Sequence, residues 1–381
     1  MGFHGLSHAI GKQITTKHFA NRNVAVDGYN LLYSLKKSCA DAMSTGNLDK
    51  IVKHYGHLLR SLIESSAFTY LVWDGQRLPA KSIVSVPRFE SQQKALKDNF
   101  AQFQETNQND ANLLEQGFFV DTNEVKIMNQ KLENMFQKKF KAFIAPFECD
   151  YQLAWMHQQK IVDFVISNDN DLVLFGIPLV RHFDGANGEL ITVQDLNIEG
   201  TVQDYVIQMI LNGSDYYPYK CGLTYNAGKF NFNGDPGENG TIDKCVQALI
   251  TALMVMRYQM ILDLRTKKLE HWQPFLKEDL QFVQFLPKNV LGYVSKDIIA
   301  LSQNTITIEN KSISVRKDSI VQMLKMQVNA NKIKLPGINQ QINLNQLSIY
   351  EEYLMDCNTY IQKRWAYSNR FKAEELSEES D

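Results

Sequence analysis

The chain has 381 residues, of which 44% are hydrophobic and 22% are charged, and its formal net charge is -2. This is the composition of a globular protein with one large or two medium domains, and it excludes a largely disordered chain. The near-neutral charge gives no overall attraction to nucleic acid, so such binding would need a local basic surface.

The five cysteines are scattered, odd in number and without C-x-x-C spacing. This pattern argues against a structural zinc site and a disulfide framework, and it favours a reducing compartment. No apolar run approaches the roughly 18 residues of a membrane span, and the N-terminal MGFHGLSHAI lacks the features of a signal peptide. The sequence therefore predicts an intracellular protein without a membrane segment.

The first part of the chain repeats one pattern, in which a short apolar run ends in an acid. Residues 24–26 are followed by Asp27, and residues 68–73 are followed by Asp74. Residues 48–66, between them, have the periodicity of an amphipathic helix. We therefore expect both acids at the carboxyl ends of buried strands, where open α/β sheets form their ligand sites.

The next part of the chain is more polar. Residues 81–115 are rich in Gln and Asn, and we expect a mobile insertion there and not part of the core. Residues 126–139 again have the periodicity of an amphipathic helix.

The stretch 147–176 carries the most informative pattern. Two acidic pairs, each at a spacing of two, flank a helix-like segment and an apolar run: Glu148 with Asp150, and Asp169 with Asp171. Either pair alone would more often be a helix cap or a solvated turn. Four carboxylates this close repel one another and are costly to desolvate, so hard metal ions are the simplest explanation for them.

Residues 178–184 predict a strand, and the following DGANGELITV predicts a hairpin through Gly185 and Gly188. A short amphipathic helix over 202–211 then leads to Asp215.

Two later segments complete the prediction. Residues 241–263 are apolar on several faces and predict a buried helix with a break before its end. Residues 373–381 are acidic, and we expect them to be disordered.

Seven acids thus follow apolar runs or end helices: Asp27, Asp74, Glu148, Asp150, Asp169, Asp171 and Asp215. Two Mg²⁺ ions about 4 Å apart, bound by carboxylate and water oxygens, can hold the attacking water and the leaving oxygen of a phosphodiester in line. The residue types therefore suit phosphate hydrolysis. A nucleoside-triphosphatase has little support, because the chain has no GxxxxGK[ST] loop.

Six motifs share their order and spacing with a known family: MGFHGL, VAVDGYNLLY, LVWDGQRLPAK, APFECDYQLAWM, SNDNDLVLFG and LNGSDYYP. Through them the chain resembles the structure-specific 5′ nucleases, which include flap endonuclease, the xeroderma pigmentosum G nuclease and exonuclease 1. The resemblance covers residues 1–308. It is strongest to exonuclease 1, because segments 257–269 and 293–301 are similar as well.

The resemblance implies two divalent metal ions, Mg²⁺ with Mn²⁺ as a substitute. The first would be held by Asp27, Asp74, Glu148 and Asp150, and the second by Asp169, Asp171 and Asp215, with Asp150 near both. Gly2 matches the family's glycine beside the active site. Lys81 and Arg88 match its catalytic basic pair at the base of an arch over the 5′ end; seven residues apart, they would share one helical face and stabilise charge on the phosphate. A solvated helix face is the alternative.

Three further matches concern DNA binding. Tyr33 matches a position where flap endonucleases stack an aromatic ring on a terminal base, although a core tyrosine is nearly as common. Gly222 and Thr224 match the family's helix-two-turn-helix, whose glycine-rich turn grips the duplex through a monovalent cation. Here Thr224 replaces one of two glycines and no second helix is evident, so we expect a weakened grip.

Two other departures affect the expected site. Pro87 precedes Arg88, so we expect a helix to start, kink or be displaced there. The long extension of exonuclease 1 is missing and residues 346–353 lack one aromatic of a clamp-binding motif, so binding to a sliding clamp is not supported.

The sequence predicts an α/β fold with a mainly parallel central sheet flanked by helices, of the PIN-like 5′ nuclease type. We expect a nuclease core over 1–308, divided into 1–98, an arch insertion over 99–120 and 121–308, and a C-terminal extension over 309–381. The resemblance implies a nuclear, monomeric, Mg²⁺-dependent enzyme acting on DNA with 5′ ends, flaps or nicks. The alternatives are an inactive nucleic-acid-binding or scaffold protein of the same fold, and an RNA-directed 5′ exonuclease.

Overall fold

The computed structural model describes eight parts of the chain, namely residues 10–44, 47–75, 81–196, 202–215, 223–226, 229–232, 259–266 and 268–272. Gly2, Gly222, segment 241–258 and the C-terminal extension lie outside them. None of the helices in these parts combines the length and the apolar character needed to cross a membrane.

The strands are β1 (Lys12–Thr15), β2 (Asn23–Asp27), β3 (Phe68–Trp73), β4 (Phe140–Ile144), β5 (Phe164–Ile166), β6 (Leu179–Arg181), β7 (Asn187–Ile191), β8 (Leu223–Asn226), β9 (Lys229–Phe232), β10 (Gln259–Asp263) and β11 (Lys268–Trp272). The α-helices are α1 (Gly28–Ser34), α2 (Lys36–Ser44), α3 (Leu48–Ser65), α4 (Ser82–Thr106), α5 (Ala111–Gly117), α6 (Thr122–Phe136), α7 (Cys149–Gln158) and α8 (Val202–Leu211). Short 3₁₀ turns lie at Thr16–Phe19, Gln137–Lys139, Asn170–Phe175 and Val193–Asp195.

Seven strands form one sheet in the order β1-β7-β6-β5-β2-β3-β4. The strands from β4 to β6 in this order pair in parallel. Only β7 and β1, at one edge, pair antiparallel. The prediction of a mainly parallel α/β sheet is confirmed, and its central strand β2 is buried along almost its whole length because helices cover both faces.

Helix α3 shows how the apolar pattern builds the core. The Asn47 side chain accepts a hydrogen bond from the Lys50 N–H and so caps the first turn. One face is buried in the main hydrophobic cluster, including Ile51, Tyr55, Leu59 and Leu62. The prediction of a helix over 48–66 is confirmed. The second predicted helix is also present as α6, which begins four residues earlier at a capping box made by Asp121 and Glu124.

The expectation that residues 81–115 form no part of the core is wrong. They contain all of α4 and most of α5, and Phe89 and Leu114 are buried. The Asn99 side chain donates to the Asn109 side chain at 2.9 Å and accepts from the Asp110 N–H at 2.7 Å, which closes the turn between the two helices. The polar composition concealed these contacts because a few apolar residues at helical spacing suffice to pack such a pair.

Pro87 lies inside α4, five residues after the helix begins at Ser82. The helix therefore does not start at Pro87. It continues through it with the loss of one backbone hydrogen bond, because proline has no N–H to donate. The boundary that we predicted at residue 98 also falls inside this helix.

The predicted strand and hairpin after residue 178 are present as β6 and β7. Asp184 forms the turn by accepting hydrogen bonds from the Ala186 and Asn187 N–H groups, and Gly185 has a φ of 100°. Gly188, which we expected in this turn, lies in β7 opposite Ile14.

Two further predictions are corrected in the later chain, while α8 matches the expected helix over 202–211. Residues 259–263 were expected at the end of a buried helix, but they form β10, which pairs antiparallel with β11. A short apolar run does not distinguish a strand from a buried helix. Thr224 was expected in a glycine-rich turn, but it lies in β8 opposite Asn231.

The packing of α3 generates a direct test. Leu59→Ala should lower the free energy of unfolding by about 2–5 kcal/mol, because it removes a fully buried side chain and leaves a cavity. Lys53→Ala, on the exposed face of the same helix, should change it by less than about 0.5 kcal/mol. Urea unfolding of both variants checks this, and equal losses would contradict the assigned face of α3.

Candidate metal centre

Most of the predicted acids lie at one edge of the sheet, because four neighbouring parallel strands end there. Asp27 is the last residue of β2, Asp74 directly follows β3, and Asp169 follows β5. Glu148 and Asp150 follow β4. The chain moves from β2 outward to β4 and then returns to the other side of β2 as β5. The acids thus surround a reversal of strand order, the place where open α/β sheets form ligand sites.

Asp27 is held by two local contacts. Its Oδ1 atom accepts a hydrogen bond from the Asn30 N–H at 3.1 Å, which caps α1. Its Oδ2 atom accepts from the Ser167 hydroxyl at 2.8 Å, just beyond β5. The carboxylate is buried and fixed between the start of a helix and the end of the neighbouring strand.

Asp74 is linked to the start of α7. Its Oδ1 atom accepts a hydrogen bond from the Cys149 N–H at 2.7 Å, one of the free N–H groups at a helix start. The next residue, Gly75, donates to the Phe147 carbonyl at 2.6 Å. A Cβ at Gly75 would lie 1.9 Å from the Ala145 carbonyl oxygen, so only glycine permits this close approach of the two loops.

Three buried side chains form a compact group at this edge. One ligand atom each from Asp27, Cys149 and Asp150 lies within 4.8 Å of the others. The Cys149 Sγ atom is 3.8 Å from Asp150 Oδ1. Cys149 was missing from our sequence-based set because a single cysteine without C-x-x-C spacing carries no metal signal. Its position inside the motif FECDYQ was the available clue.

The two predicted basic residues, Lys81 and Arg88, form ion pairs with two of the predicted acids. Lys81 Nζ lies 2.6 Å from Glu148 Oε1 and 3.6 Å from Asp215 Oδ2. Arg88 Nη2 lies 3.4 Å from Asp215 Oδ1. Lys81 directly precedes α4 and its side chain is only 11% exposed, whereas the side chain of Arg88, the residue after Pro87, is 69% exposed. Both reach the same acid, although only Arg88 lies within the helix.

The second acidic pair lies in the 3₁₀ turn after β5. We had given a solvated turn as the alternative for this pair, and Asp169 Oδ1 caps the turn by accepting a hydrogen bond from the Asp171 N–H at 3.1 Å. Capping does not account for the burial, since Asp171 is only 3% exposed. Glu148, in contrast, occupies the N-cap position of α7 but makes no capping hydrogen bond with its side chain.

Burial and mutual repulsion shift the acidity of the group. Burial raises the pKa of Asp27 well above its usual value, and Asp150 and Asp74 raise it further. Partial burial likewise raises the pKa of Glu148 and Asp169. The pKa of Asp74 is also raised, by desolvation of its carboxyl group at the base of the site and by the charge of Asp150, although the residue as a whole is exposed. Without a cation, the carboxylate forms of these side chains are therefore unfavourable.

Positive charge acts in the opposite direction. Burial would raise the pKa of Asp150, but nearby positive charges, Lys81 among them, lower it. Burial would lower the pKa of Lys81, but Glu148 and Asp215 raise it well above its usual value. Lys81 therefore stays protonated and offsets part of the negative charge.

The donor set fits a hard divalent cation. Carboxylate oxygens predominate, and they are the ligands that Mg²⁺ and Mn²⁺ prefer. The Oε2 atom of Glu148 is buried, and within the described residues it has no hydrogen-bond partner. A buried acceptor without a partner is costly, and a cation would satisfy it.

The aromatic residues are placed as packing groups. Trp73 is fully buried and donates to Asn129 Oδ1 at 2.7 Å, and Tyr29 packs edge-on against it. Tyr33 is partly buried, stacks on Tyr29 with ring centroids 6.3 Å apart and meets the edge of Phe118. Tyr29 and Trp73 are therefore packing residues. Base stacking by Tyr33 stays a prediction.

Sequence reasoning also missed a contact that joins α7 to a distant hairpin. Gln152 is buried, donates to the Leu262 carbonyl at 3.0 Å and accepts from the Leu262 N–H at 2.7 Å. Arg265, after β10, is paired with Asp263 and lies over the Trp155 ring, 5.4 Å from its centroid. No local pattern could reveal contacts between segments 110 residues apart.

The comparisons with known proteins agree with the site. The XPG I-region family model matches residues 139–218, which contain five of the predicted acids. Exodeoxyribonuclease 1 of Schizosaccharomyces pombe is 25% identical over 231 residues, covering 58% of this chain and 40% of the relative. Exonuclease 1 of Xenopus laevis is 25% identical over 354 residues, covering 83% and 46%. These similarities agree with the resemblance to structure-specific 5′ nucleases that the motifs of the chain carry.

The chain spans less than half the length of those two relatives. Among solved structures, the catalytic core of Rad2 in complex with DNA substrate is 19% identical, with a TM-score of 0.39, over 54% of this chain and 59% of that chain. Flap endonuclease-1 from Methanococcus jannaschii is 22% identical, with a TM-score of 0.38, over 56% and 72%. Because both TM-scores are low, the fold class of this protein rests on its own strand order.

The repulsion among the acids generates a prediction about the metal-free protein. Because the pKa of Asp27 is raised in the folded state, its contribution to stability is fully present below the unfolded value of about 3.9 and is lost as the pH rises through the folded value. In EDTA, Asp27→Asn should therefore be more stable than wild type at pH 7.5, by about 1–3 kcal/mol, and the difference should shrink toward pH 4.

Thermal unfolding between pH 4 and 8 measures this difference, and Asp98→Asn, an exposed acid on α4, is the matched control that should show none. A pH-independent difference for Asp27→Asn would contradict the proposed repulsion.

Proposed function

We propose that this protein is a Mg²⁺-dependent, structure-specific 5′ nuclease that hydrolyses DNA phosphodiesters, with 5′ to 3′ exonuclease and 5′ flap endonuclease activity. The observation that carries the proposal is the set of carboxylates, most of them buried or partly buried, that lies with Lys81 at the carboxyl edge of four parallel strands. Relatives named exodeoxyribonuclease 1 and flap endonuclease 1 support this reaction class, and the first of these names supports DNA as its substrate.

Two Mg²⁺ ions are proposed, with Mn²⁺ as a substitute. Asp27, Asp74, Glu148 and Asp150 would hold the first, and Asp169, Asp171 and Asp215 the second. When bound, Mg²⁺ supplies Lewis-acid stabilisation of the negative charge that develops on a scissile phosphate.

The protein's own side chains provide orientation and charge. Asn30 and Ser167 fix the Asp27 carboxylate, and the first N–H of α7 fixes Asp74. Lys81 lies among the acids as a protonated ammonium group, close enough to donate to a phosphate oxygen once cations neutralise its present partners. The exposed guanidinium of Arg88 lies farther out and suits an approaching phosphate.

Other properties implied by the resemblance stay predictions: a role in repair, recombination or replication, a nuclear location, a monomeric state and a monovalent cation near residues 222–224. Since Thr224 lies in a strand, a duplex grip of the expected turn type has no support within the described residues.

The test is a panel of 5′-labelled substrates, comprising DNA with a flap, a nick or a blunt end and matched RNA, assayed with Mg²⁺, with Mn²⁺ and with EDTA. We expect metal-dependent cleavage of flap and nicked DNA with release of short 5′ products. Preferred cleavage of RNA would indicate the RNA-directed alternative. Binding without cleavage of any substrate would indicate the inactive nucleic-acid-binding alternative.

Asp150 generates the sharpest catalytic prediction. Asp150→Asn should reduce the single-turnover cleavage rate by about 10²-fold or more, because it removes the carboxylate placed near both proposed ions. DNA affinity in Ca²⁺ should change little, since phosphate contacts elsewhere supply most of the binding. Asp98→Asn serves as control. A variant that keeps a tenth or more of the wild-type rate would count against the two-metal assignment.

Lys81 and Arg88 should differ in which step they affect. Lys81→Ala should slow the bound-state rate by about 10²-fold with little change in affinity, because its ammonium group would meet charge that develops in the transition state. Arg88→Ala should mainly weaken binding and its dependence on salt, as expected for an exposed phosphate contact. Lys94→Ala, also exposed on α4, is the control. If Lys81→Ala lowers the affinity for DNA but not the cleavage rate, Lys81 only contacts the DNA backbone and does not act in the chemical step.

A further inference from the structure

Helix α7 supports both sets of proposed metal ligands. Glu148 and Asp150 lie at its first turn. The next residue, Tyr151, packs edge-on against Phe175, with the ring centroids 5.5 Å apart. Phe175 ends the 3₁₀ turn that carries Asp171. A displacement of α7 would therefore move the first ligand set relative to the sheet and disturb the turn that carries the second.

The β10–β11 hairpin contacts α7 on a face that the acids do not share. Gln152 and Trp155 are three residues apart and so lie on one side of the helix, whereas Asp150, two residues before Gln152, points elsewhere. The buried amide of Gln152 is hydrogen-bonded to the backbone of Leu262. The Arg265 guanidinium lies over the Trp155 ring, 5.4 Å from its centroid. The hairpin is thus attached to α7 at two points.

The hydrogen bonds of Gln152 complete the free edge of β10. Its amide donates to the Leu262 carbonyl at 3.0 Å and accepts from the Leu262 N–H at 2.7 Å. The N–H and C=O of one residue in an antiparallel strand point to the same side, so these two groups face away from β11. A primary amide supplies the donor and the acceptor that a neighbouring strand would supply. A side chain of the same length without an amide cannot satisfy both groups.

The hairpin is itself held firmly. Asp263 is 2% exposed, and its carboxylate accepts hydrogen bonds from Arg265 Nε at 2.9 Å, from Nη2 at 3.0 Å and from the Arg265 backbone N–H at 2.9 Å. A buried carboxylate is tolerated when it is paired in this way. The same contacts fix the guanidinium over Trp155, and Ile261 is fully buried beside them. The hairpin is therefore a fixed support for α7.

We propose that the β10–β11 hairpin sets the position of α7 and that Gln152 is the positioning residue that connects the two. Gln152 acts through the helix, by keeping Glu148 and Asp150 at the spacing that a divalent cation needs. This inference rests on the metal centre of the proposed function, but the binding of metal can be measured without any cleavage.

The experiment is a titration of the full-length, metal-free protein with Mn²⁺, in which the electron paramagnetic resonance signal of free Mn²⁺ reports how much metal has bound. Gln152→Met keeps the length of the side chain and removes both hydrogen bonds. It should weaken Mn²⁺ binding by about 10-fold, as when an outer partner of metal ligands is removed. Gln159→Met makes the same exchange at an exposed residue directly after α7 and should leave the affinity unchanged.

Two further variants separate positioning from general destabilisation. Leu59→Ala should lower the thermal unfolding midpoint at least as much as Gln152→Met, because Leu59 is fully buried on α3. It should nevertheless leave the Mn²⁺ affinity unchanged at a temperature where both variants are folded. Arg265→Ala removes the contact with Trp155 without altering α7, and it should weaken Mn²⁺ binding in the same direction. It also tests the proposal if Gln152→Met is poorly folded.

Cleavage supplies a second readout. In single-turnover assays, Gln152→Met should raise the Mg²⁺ concentration for half-maximal rate by about the same 10-fold. The rate at saturating Mg²⁺ should stay close to that of wild type, because all the acidic ligands and Lys81 are still present.

Unchanged Mn²⁺ affinity in both Gln152→Met and Arg265→Ala would overturn the proposal, as would an equal loss of affinity in Leu59→Ala. A wild-type protein that binds no Mn²⁺ would overturn the metal centre and this proposal together. A wild-type protein that binds Mn²⁺ more tightly than Gln152→Met but cleaves no nucleic acid would support the role of Gln152 and contradict only the nuclease activity.

Discussion

Mutual repulsion among carboxylates is the constraint on which the rest of the site depends. Parallel strands bring their carboxyl ends to one edge, and burial there strengthens every interaction between charges. The protein offsets the repulsion with fixed partners, including the Cys149 N–H for Asp74, the Ser167 hydroxyl for Asp27 and the Lys81 ammonium for Glu148. None of these contacts removes the net negative charge of the carboxylates, so the site still favours the binding of cations.

The hydrophobic core beside the site offsets the unfavourable free energy of bringing these carboxylates together. Val24, Ala25 and Val26, the residues before Asp27, are fully buried. The Trp73 ring lies so close to Gly28 that a Cβ there would approach it to 2.5 Å. Dense packing of this kind fixes the strand ends, since side chains without room cannot relax away from an unfavourable neighbour. The dense packing of the apolar core thus holds the carboxylates at the strand ends in place against their mutual repulsion.

The sequence predicted those parts of the molecule that depend on local pattern. An apolar run followed by an acid placed Asp27, Asp74 and Asp169 correctly, because strand exit and sheet edge coincide in a parallel sheet. Local pattern failed where contacts across the fold decide the outcome. The packing of α4 and α5 into the core was hidden by their polar composition, and β10 took its conformation from pairing with β11. Cys149 acquired its significance only from side chains that the fold places around it.

The contact between Gln152 and Leu262 has a consequence for where this folding unit can be cut. Two residues from Asp150, a buried amide relies on the backbone of a strand well beyond residue 218, the end of the family-model match. A fragment ended there would leave that amide unpaired at about 1–3 kcal/mol, and would uncover the surface of α7 that β10 now covers. All seven predicted acidic ligands would still be present in such a fragment. A loss of activity would therefore result from a destabilised scaffold and not from a missing ligand.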